Sequence, residues 1–254
     1  MDTTGGRPIA VIGASGGVGT STVALAVGRR VADTHGRSVV LDLDPSRGGL
    51  EVTAGIEHLA GHRWEALRAV RGRAPALEII ARLPGEGGCH VLSGGGAGPR
   101  SPGGVPEEVV LDVLASLRGC RETVILDLPA TSALLPTVVA DGARIVLLVA
   151  MRTRGFADAD AVVERLLDAL PEGVSTPDLA LVTRGGRLHP EVLDDLVHHL
   201  GAPHLHHLPD DPRVRQGSER GLWPGTARDA VRSCADAVVE GFLTQESGFG
   251  RAAS

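Results

Sequence analysis

Ile9-Ala10-Val11-Ile12-Gly13-Ala14-Ser15-Gly16-Gly17-Val18-Gly19-Thr20-Ser21-Thr22 joins a short apolar run to a glycine-rich turn and then to hydroxyl residues that open a helical pattern. That order predicts strand, phosphate loop and helix. Glycines let the backbone bring its N–H groups against phosphate oxygens, and a helix start adds unpaired donors and the positive end of its dipole. Ser15, Gly16, Gly17, Val18, Gly19, Thr20, Ser21 and Thr22 are therefore the nucleotide-binding candidates. The same letters also fit a dinucleotide pattern, with Gly13, Gly17 and Gly19 in the turn and Asp42 or Asp44 placed to hold a ribose. An NAD(P)-dependent reductase is thus the alternative reading. Short-chain reductases work through a Tyr-x-x-x-Lys pair, and this chain has no tyrosine and no lysine. A medium-chain type, whose loop ordinarily follows a separate catalytic domain, is the form in which that alternative stays open.

The 254 residues are 43% hydrophobic, enough for one substantial core, so a single domain over 1–254 is expected. A net charge of −6 gives no global reason to expect nucleic acid as a partner. Cys89, Cys120 and Cys234 have no metal-ligand spacing and form an odd set, which fits free thiols in a reducing cytoplasm. No apolar run approaches the ~20 residues that cross a bilayer, and no charged and apolar leader precedes the first strand. A cytoplasmic protein is expected.

Thr20 to Thr34 carries apolar residues at helical spacing, closed by Gly36. Val39-Val40-Leu41-Asp42-Leu43-Asp44-Pro45 then reads as a buried parallel strand with two carboxylates at its end. Gly49 to Arg82 is mostly helical in pattern, and Cys89–Leu92 is a short strand candidate. Residues 94–105, dense in Gly, Pro and Ser, predict a flexible loop. A helix over Glu107–Leu117 leads into Thr123-Val124-Ile125-Leu126-Asp127-Leu128-Pro129-Ala130, an apolar strand that delivers Asp127 at its carboxyl end. There a carboxylate can hold magnesium, and proline ends the strand. Further strands are predicted at Ile145–Ala150 and Leu179–Thr183, with helices over Asp158–Leu170 and Pro190–Leu200 and a closing helix from Thr226 to Leu243. The alternation implies an α/β fold: a single-domain, Rossmann-like P-loop fold with a mostly parallel sheet, helices on both faces, and ligands at the strands' carboxyl ends.

With these motifs in order, the chain from Ile9 to about Phe242 resembles the MinD/ParA superfamily of deviant P-loop ATPases. The superfamily's Lys-Gly-Gly-x-Gly-Lys-Thr aligns with Ser15-Gly16-Gly17-Val18-Gly19-Thr20-Ser21, so both lysines are replaced. Gly55-Ile56-Glu57 and Gly61-His62-Arg63-Trp64 resemble the CpaE/TadZ and septum-site-determining branch. The resemblance implies ATP or ADP with magnesium held by Ser21, Asp44 and Asp127. It gives Asp44 the contact to metal or attacking water and leaves Asp42 structural. It also places Thr183 and Arg184, in the column of Val-Asn-Arg, beside the base together with Pro209 and Asp210. Loss of the lysines implies weak or absent hydrolysis. The branch implies protein partners in septum or pilus and secretion machinery, a weak homodimer, and recruitment to the pole or septum by those partners. Gln245–Ser254 lacks the apolar face of a membrane helix, so no direct anchor is expected, and a disordered tail is.

His198, His199, His204, His206 and His207 invite a metal reading. Strand alternation of His204 and His206, and the helix-end position of His198 and His199, favour ordinary surface roles, so no structural metal is expected. Arg152, Arg154 and Arg184 follow strand ends, where a guanidinium can replace part of the missing charge.

Overall fold

Strand β1 (Ile9–Gly13) alternates between two cores: Ile9 and Val11 face one, Ala10 and Ile12 the other, and all four are fully buried. A strand buried on both sides needs helices above and below. The computed structural model describes residues 6–44, 49–94, 105–118 and 120–244, and in these the requirement is met. After β1 come α1 (Thr20–His35), β2 (Ser38–Asp42), α2 (Leu50–Ala54), α3 (Trp64–Leu67), α4 (Ala76–Ile80), β3 (Gly85–Glu86) and β4 (Cys89–Leu92). Then follow α5 (Glu107–Leu117), β5 (Thr123–Pro129), α6 (Leu135–Ala140), β6 (Arg144–Ala150), α7 (Thr153–Asp168) and β7 (Leu179–Gly185). The chain closes with α8 (Pro190–Leu200), β8 (His204–Pro209), α9 (Pro212–Glu219), α10 (Ala230–Val239) and a π-helical turn over Glu240–Thr244.

The eight strands run in the order β3-β4-β2-β5-β1-β6-β7-β8, parallel throughout except for the β3–β4 pair. This is the predicted single α/β domain. Apolar residues of α1 and α10 share the core with Ile9, Val11 and Ile125, while those of α5, α6, α7 and α8 share the other with Ala10, Ile12 and Leu126. Helix α1 lies close on the sheet because Gly28 carries no side chain: a Cβ there would stand 2.4 Å from Val40 Cγ2 and 3.0 Å from Cys89 Sγ. Strand alternation then puts Asp127, two residues past Ile125, on the face that α1 covers.

The expected 49–82 helical stretch is instead three short helices, interrupted where Gly55 and Gly72 take positive φ. Strand β2 ends at Asp42, because the backbone beyond it turns back onto the Asp42 carboxylate rather than continuing along the sheet. Helix α7 begins five residues before the predicted start. The predicted loop at 94–105 falls, from 95 to 104, outside the described residues, as does the 245–254 tail.

Candidate nucleotide-binding site

The loop between β1 and α1 is shaped by two glycines in the left-handed region, Gly17 at φ 79° and Gly19 at φ 95°, the latter capping α1. Its ends are pinned. Ala14 N–H donates to Leu148 O at 2.9 Å, Val23 N–H donates to Gly19 O at 2.9 Å, and Val18 is buried in the α1-side core. Between those anchors the loop faces open space, since a Cβ added at Gly16, Gly17 or Gly19 meets nothing within 4 Å. A cleft of about 400 Å³ lies there, lined by the loop, Thr22, Asp44, Thr53, Asp127 and the segment Leu128–Thr131.

Thr20, in the column of the absent lysine, turns its hydroxyl under the loop: a Cβ on Gly13 would come within 2.4 Å of Thr20 Oγ1. Gly13 is therefore required by packing. Ser15, in the other lysine column, has a buried hydroxyl with no hydrogen-bond partner among the described residues. A buried donor left unpaired is costly, and it sits in the wall of the cleft.

The carboxylate side is built from β2 and β5. Ser21 Oγ donates to Asp127 Oδ2 at 2.6 Å, joining the start of α1 to the end of β5. Leu43 N–H donates to Asp127 O at 3.0 Å, which holds the post-β2 turn beside β5. Asp42 is the hub of that turn. Its Oδ1 accepts from Asp44 N–H at 3.0 Å, its Oδ2 accepts from Leu50 N–H at 3.1 Å and Ser93 Oγ at 2.7 Å, and its carbonyl accepts from Trp64 Nε1 at 2.8 Å. Burial pushes the Asp42 carboxyl up to about 6 despite these donors. Asp42 thus fixes the backbone of Asp44, and Asp44 lines the cleft. Ser21, Asp44 and Asp127 present hard oxygens, the donor type magnesium takes, beside a loop with room for phosphate. The residues fit a magnesium nucleotide.

The base-side expectation fares differently. Thr183 is fully buried, and its hydroxyl pairs with His204 Nε2 and His207 Nδ1, each at 3.0 Å. His207 Nε2 in turn bonds Gly186 O at 2.8 Å. Arg184 is bound to Asp210 at 2.9 Å and to the Pro209 carbonyl at 3.3 Å. None of Thr183, Arg184, Pro209 and Asp210 lines the loop cleft; Pro209 and Asp210 border a separate open groove with Arg213 and Arg232. The resemblance placed them beside the base; in the structure His204 and His207 of β8 flank the Thr183 hydroxyl. Arg152 caps α7 and Arg154 is exposed, 4.0 Å from Asp158, so neither lines the cleft. Arg165 of α7 does, and it was not anticipated: nothing in its local sequence marks it. Thr53 and Ser93 were missed for the same reason. His199 pairs with Asp160 at 2.7 Å, and among the described residues no group of three or more His, Cys, Asp or Glu is placed to hold a metal ion. Cys89, Cys120 and Cys234 are buried free thiols.

A parallel sheet, a glycine loop opening a helix at its carboxyl edge, and a Ser–Asp pair beside that loop define an α/β fold of the P-loop type. Its fold is that of the MinD/ParA ATPases. MinD of Pyrococcus horikoshii, in complex with Mg-ADP, superposes with a TM-score of 0.68 at 19% identity, over 94% of this chain and 97% of that one. MinD in the MinC:MinD cell division complex of Aquifex aeolicus gives 0.68 at 17% identity, over 91% and 95%. A ParA family ATPase of Chlorobium tepidum gives 0.60 at 13% identity, over 92% and 98%. No family model matches the chain. Among curated proteins it is 33% identical over 237 residues to the uncharacterized protein Rv3660c of Mycobacterium tuberculosis H37Rv, and equally to MT3760 of strain CDC 1551. The match takes in 92% of this chain and 63% of the length of those relatives.

Proposed function

We propose that this chain is a degenerate MinD/ParA-like nucleotide-binding protein, which takes ATP or ADP with magnesium in the loop cleft and acts through protein partners. The observation that carries the reading is the Ser21–Asp127 bond at 2.6 Å beside an open glycine loop. Ser21, Asp44 and Asp127 would hold the magnesium, which, when bound, offsets phosphate charge. The chain's own contribution is backbone N–H groups from Gly16 to Ser21 and a turn, pinned by Asp42, that keeps Asp44 in place. Replacing the loop lysine by Thr20 removes a charge-assisted bond worth ~1.5–3 kcal/mol, a loss of ~10- to 150-fold in affinity, so binding survives in weakened form. Hydrolysis is weak or absent, because Ser15 carries no charge to reach across a dimer.

The Gly55–Glu57 and Gly61–Trp64 segments support the CpaE/TadZ/septum-site-determining branch, and with it a role in regulating or positioning septum or pilus and secretion machinery. MinD occurs in complex with MinC in the Aquifex structure, which supports a partner-dependent role and a weak homodimer here. Among the described residues no helix is long and apolar enough to cross a membrane, so recruitment from the cytoplasm to pole or septum is assigned to partners.

Calorimetric titration with ATP and ADP, with and without magnesium, and separately with NADPH, tests the reading. Magnesium-dependent binding of adenine nucleotide at one site per chain is expected. Stoichiometric NADPH binding without an adenine nucleotide response would establish the reductase alternative instead.

A further inference from the structure

The cleft has a charge problem that its own loop does not solve. Its donors on the loop are neutral backbone groups and hydroxyls, and two carboxylates, Asp44 and Asp127, share the wall with the space where phosphates would lie. The chain contains no lysine, and no histidine lines the cleft, so a side-chain cation from its wall is an arginine. The arginines singled out from sequence are placed elsewhere: Arg184 is held by Asp210 and the Pro209 carbonyl, and Arg152 and Arg154 lie at the α7 start outside the cleft wall.

We propose that Arg165 of α7 supplies the missing positive charge, closing on the terminal phosphate of a bound nucleotide from the side of the sheet opposite α1. The inference rests on the nucleotide reading above. Among the described residues Arg165 is the one basic side chain lining the cleft. It reaches that position over the end of β5, next to Ala130 and Thr131 in the turn that follows the strand carrying Asp127. The metal-side oxygens and Arg165 therefore approach the same end of the ligand, where charge on a triphosphate is greatest.

The helix geometry supports the reach. Val162 and Leu166 are fully buried against the sheet and fix the backbone of α7, while Arg165 between them is exposed. Side chains on a helix lean toward its N-terminus, and α7 starts directly after the carboxyl end of β6. Arg165 thus leans toward the ligand edge of the sheet. A recess of about 350 Å³, bounded by Ala130, Thr131, Ser132, Pro136, Arg165 and Asp168, gives the guanidinium room to change rotamer. Asp168, three residues further on, borders the same recess.

The test is calorimetry of Mg-ATP and Mg-ADP binding to wild type, Arg165→Gln, Arg165→Lys and Arg154→Gln, with thermal melting of each. Arg165→Gln should melt like wild type, because the side chain is exposed, and should weaken ATP binding by on the order of ten-fold. ADP, which lacks the terminal phosphate, should weaken less. Arg165→Lys should recover part of the loss, and Arg154→Gln should bind as wild type. If wild type binds no adenine nucleotide, the functional reading itself falls. If wild type binds but Arg165→Gln is within two-fold of it, or Arg154→Gln shows the larger loss, the assignment of Arg165 is overturned.

Discussion

Replacing Asp42 by asparagine should change how stability depends on pH, and the size and sign follow from its surroundings. Asp42 is 5% exposed and holds three donors, Asp44 N–H, Leu50 N–H and the Ser93 hydroxyl. Those bonds favour the carboxylate, yet burial outweighs them, and the carboxyl titrates at about 6 in the fold against an ordinary value of 3.8. Between those two values the native state binds more protons than the unfolded chain, so stability falls as pH rises. The contribution is fully present below 3.8, is lost through about 6, and amounts to about 3 kcal/mol. Asparagine does not titrate. It also offers only one acceptor oxygen, so its amide group must face either Asp44 N–H or the Leu50 and Ser93 pair, at a pH-independent cost of about 1–3 kcal/mol. Urea unfolding of both proteins at pH 4, 5, 6 and 7 separates the two effects. The stability of wild type minus that of Asp42→Asn should fall by about 2 kcal/mol from pH 4 to pH 7, since at pH 4 the unfolded carboxyl is already more than half ionised. A difference that stays flat or rises over that range would refute the claim that burial dominates the Asp42 site.

Ser21→Ala removes the hydroxyl bonded to Asp127 and should erase most of the magnesium dependence of nucleotide binding while leaving metal-free binding alone; calorimetry with and without magnesium reads this. Gly19→Ala places a Cβ in open space, so its penalty is backbone strain at φ 95°, about 1–2 kcal/mol. Gly13→Ala should cost more, since its Cβ meets Thr20 Oγ1 and Val18 Cγ2, and thermal melts that rank the two the other way would contradict the packing described for the loop. Thr183→Val keeps the shape but strands His204 and His207, and should lower stability by about 1–3 kcal/mol with nucleotide affinity unchanged. A selective loss of adenine nucleotide binding in that variant would restore Thr183 to the base site.

The features legible in the sequence are those encoded locally. Ile9–Gly13, Glu107–Leu117 and Pro190–Leu200 carry their own periodicity and boundaries, so each emerged as the element it forms. Asp44, Asp127 and Ser21 come to line one cleft because each follows a strand or turn whose direction fixes which edge it reaches. The losses have a common physical origin in side-chain pairing across long sequence distances. Thr183, expected beside the base, lies outside the loop cleft, its hydroxyl paired with His204 and His207 of the next strand. Arg165 lies twelve residues into a helix, and only the packing of α7 beside the post-β5 turn brings it to the cleft. Strand β2 was drawn too long because Leu43 and Asp44 continue an apolar and acidic pattern, whereas the Asp42 carboxylate captures Asp44 N–H and bends the chain away.

Scaffold and charge are separable in this site. The loop's shape depends on Gly17 and Gly19 at positive φ, on Val18 in the α1-side core, and on Gly13 leaving space for Thr20. None of these involves a cation. The positions of the acidic oxygens depend on sheet register, in which Asp127 pairs with Val11 on one side and Asp42 on the other, and on the Asp42 hub that orients Asp44. None of these involves a cation either. On the proposed reading, the absence of lysine at Ser15 and Thr20 takes positive charge from the cleft without touching the interactions that build it here. A chain in that condition, on the same proposed reading, senses a nucleotide through backbone donors and metal-side oxygens, and what it gives up is the charge that stabilises phosphoryl transfer. The proposed guanidinium from α7, an element outside the loop, would add charge at the ligand without rebuilding the loop, so scaffold and charge come from different elements of the same sheet edge.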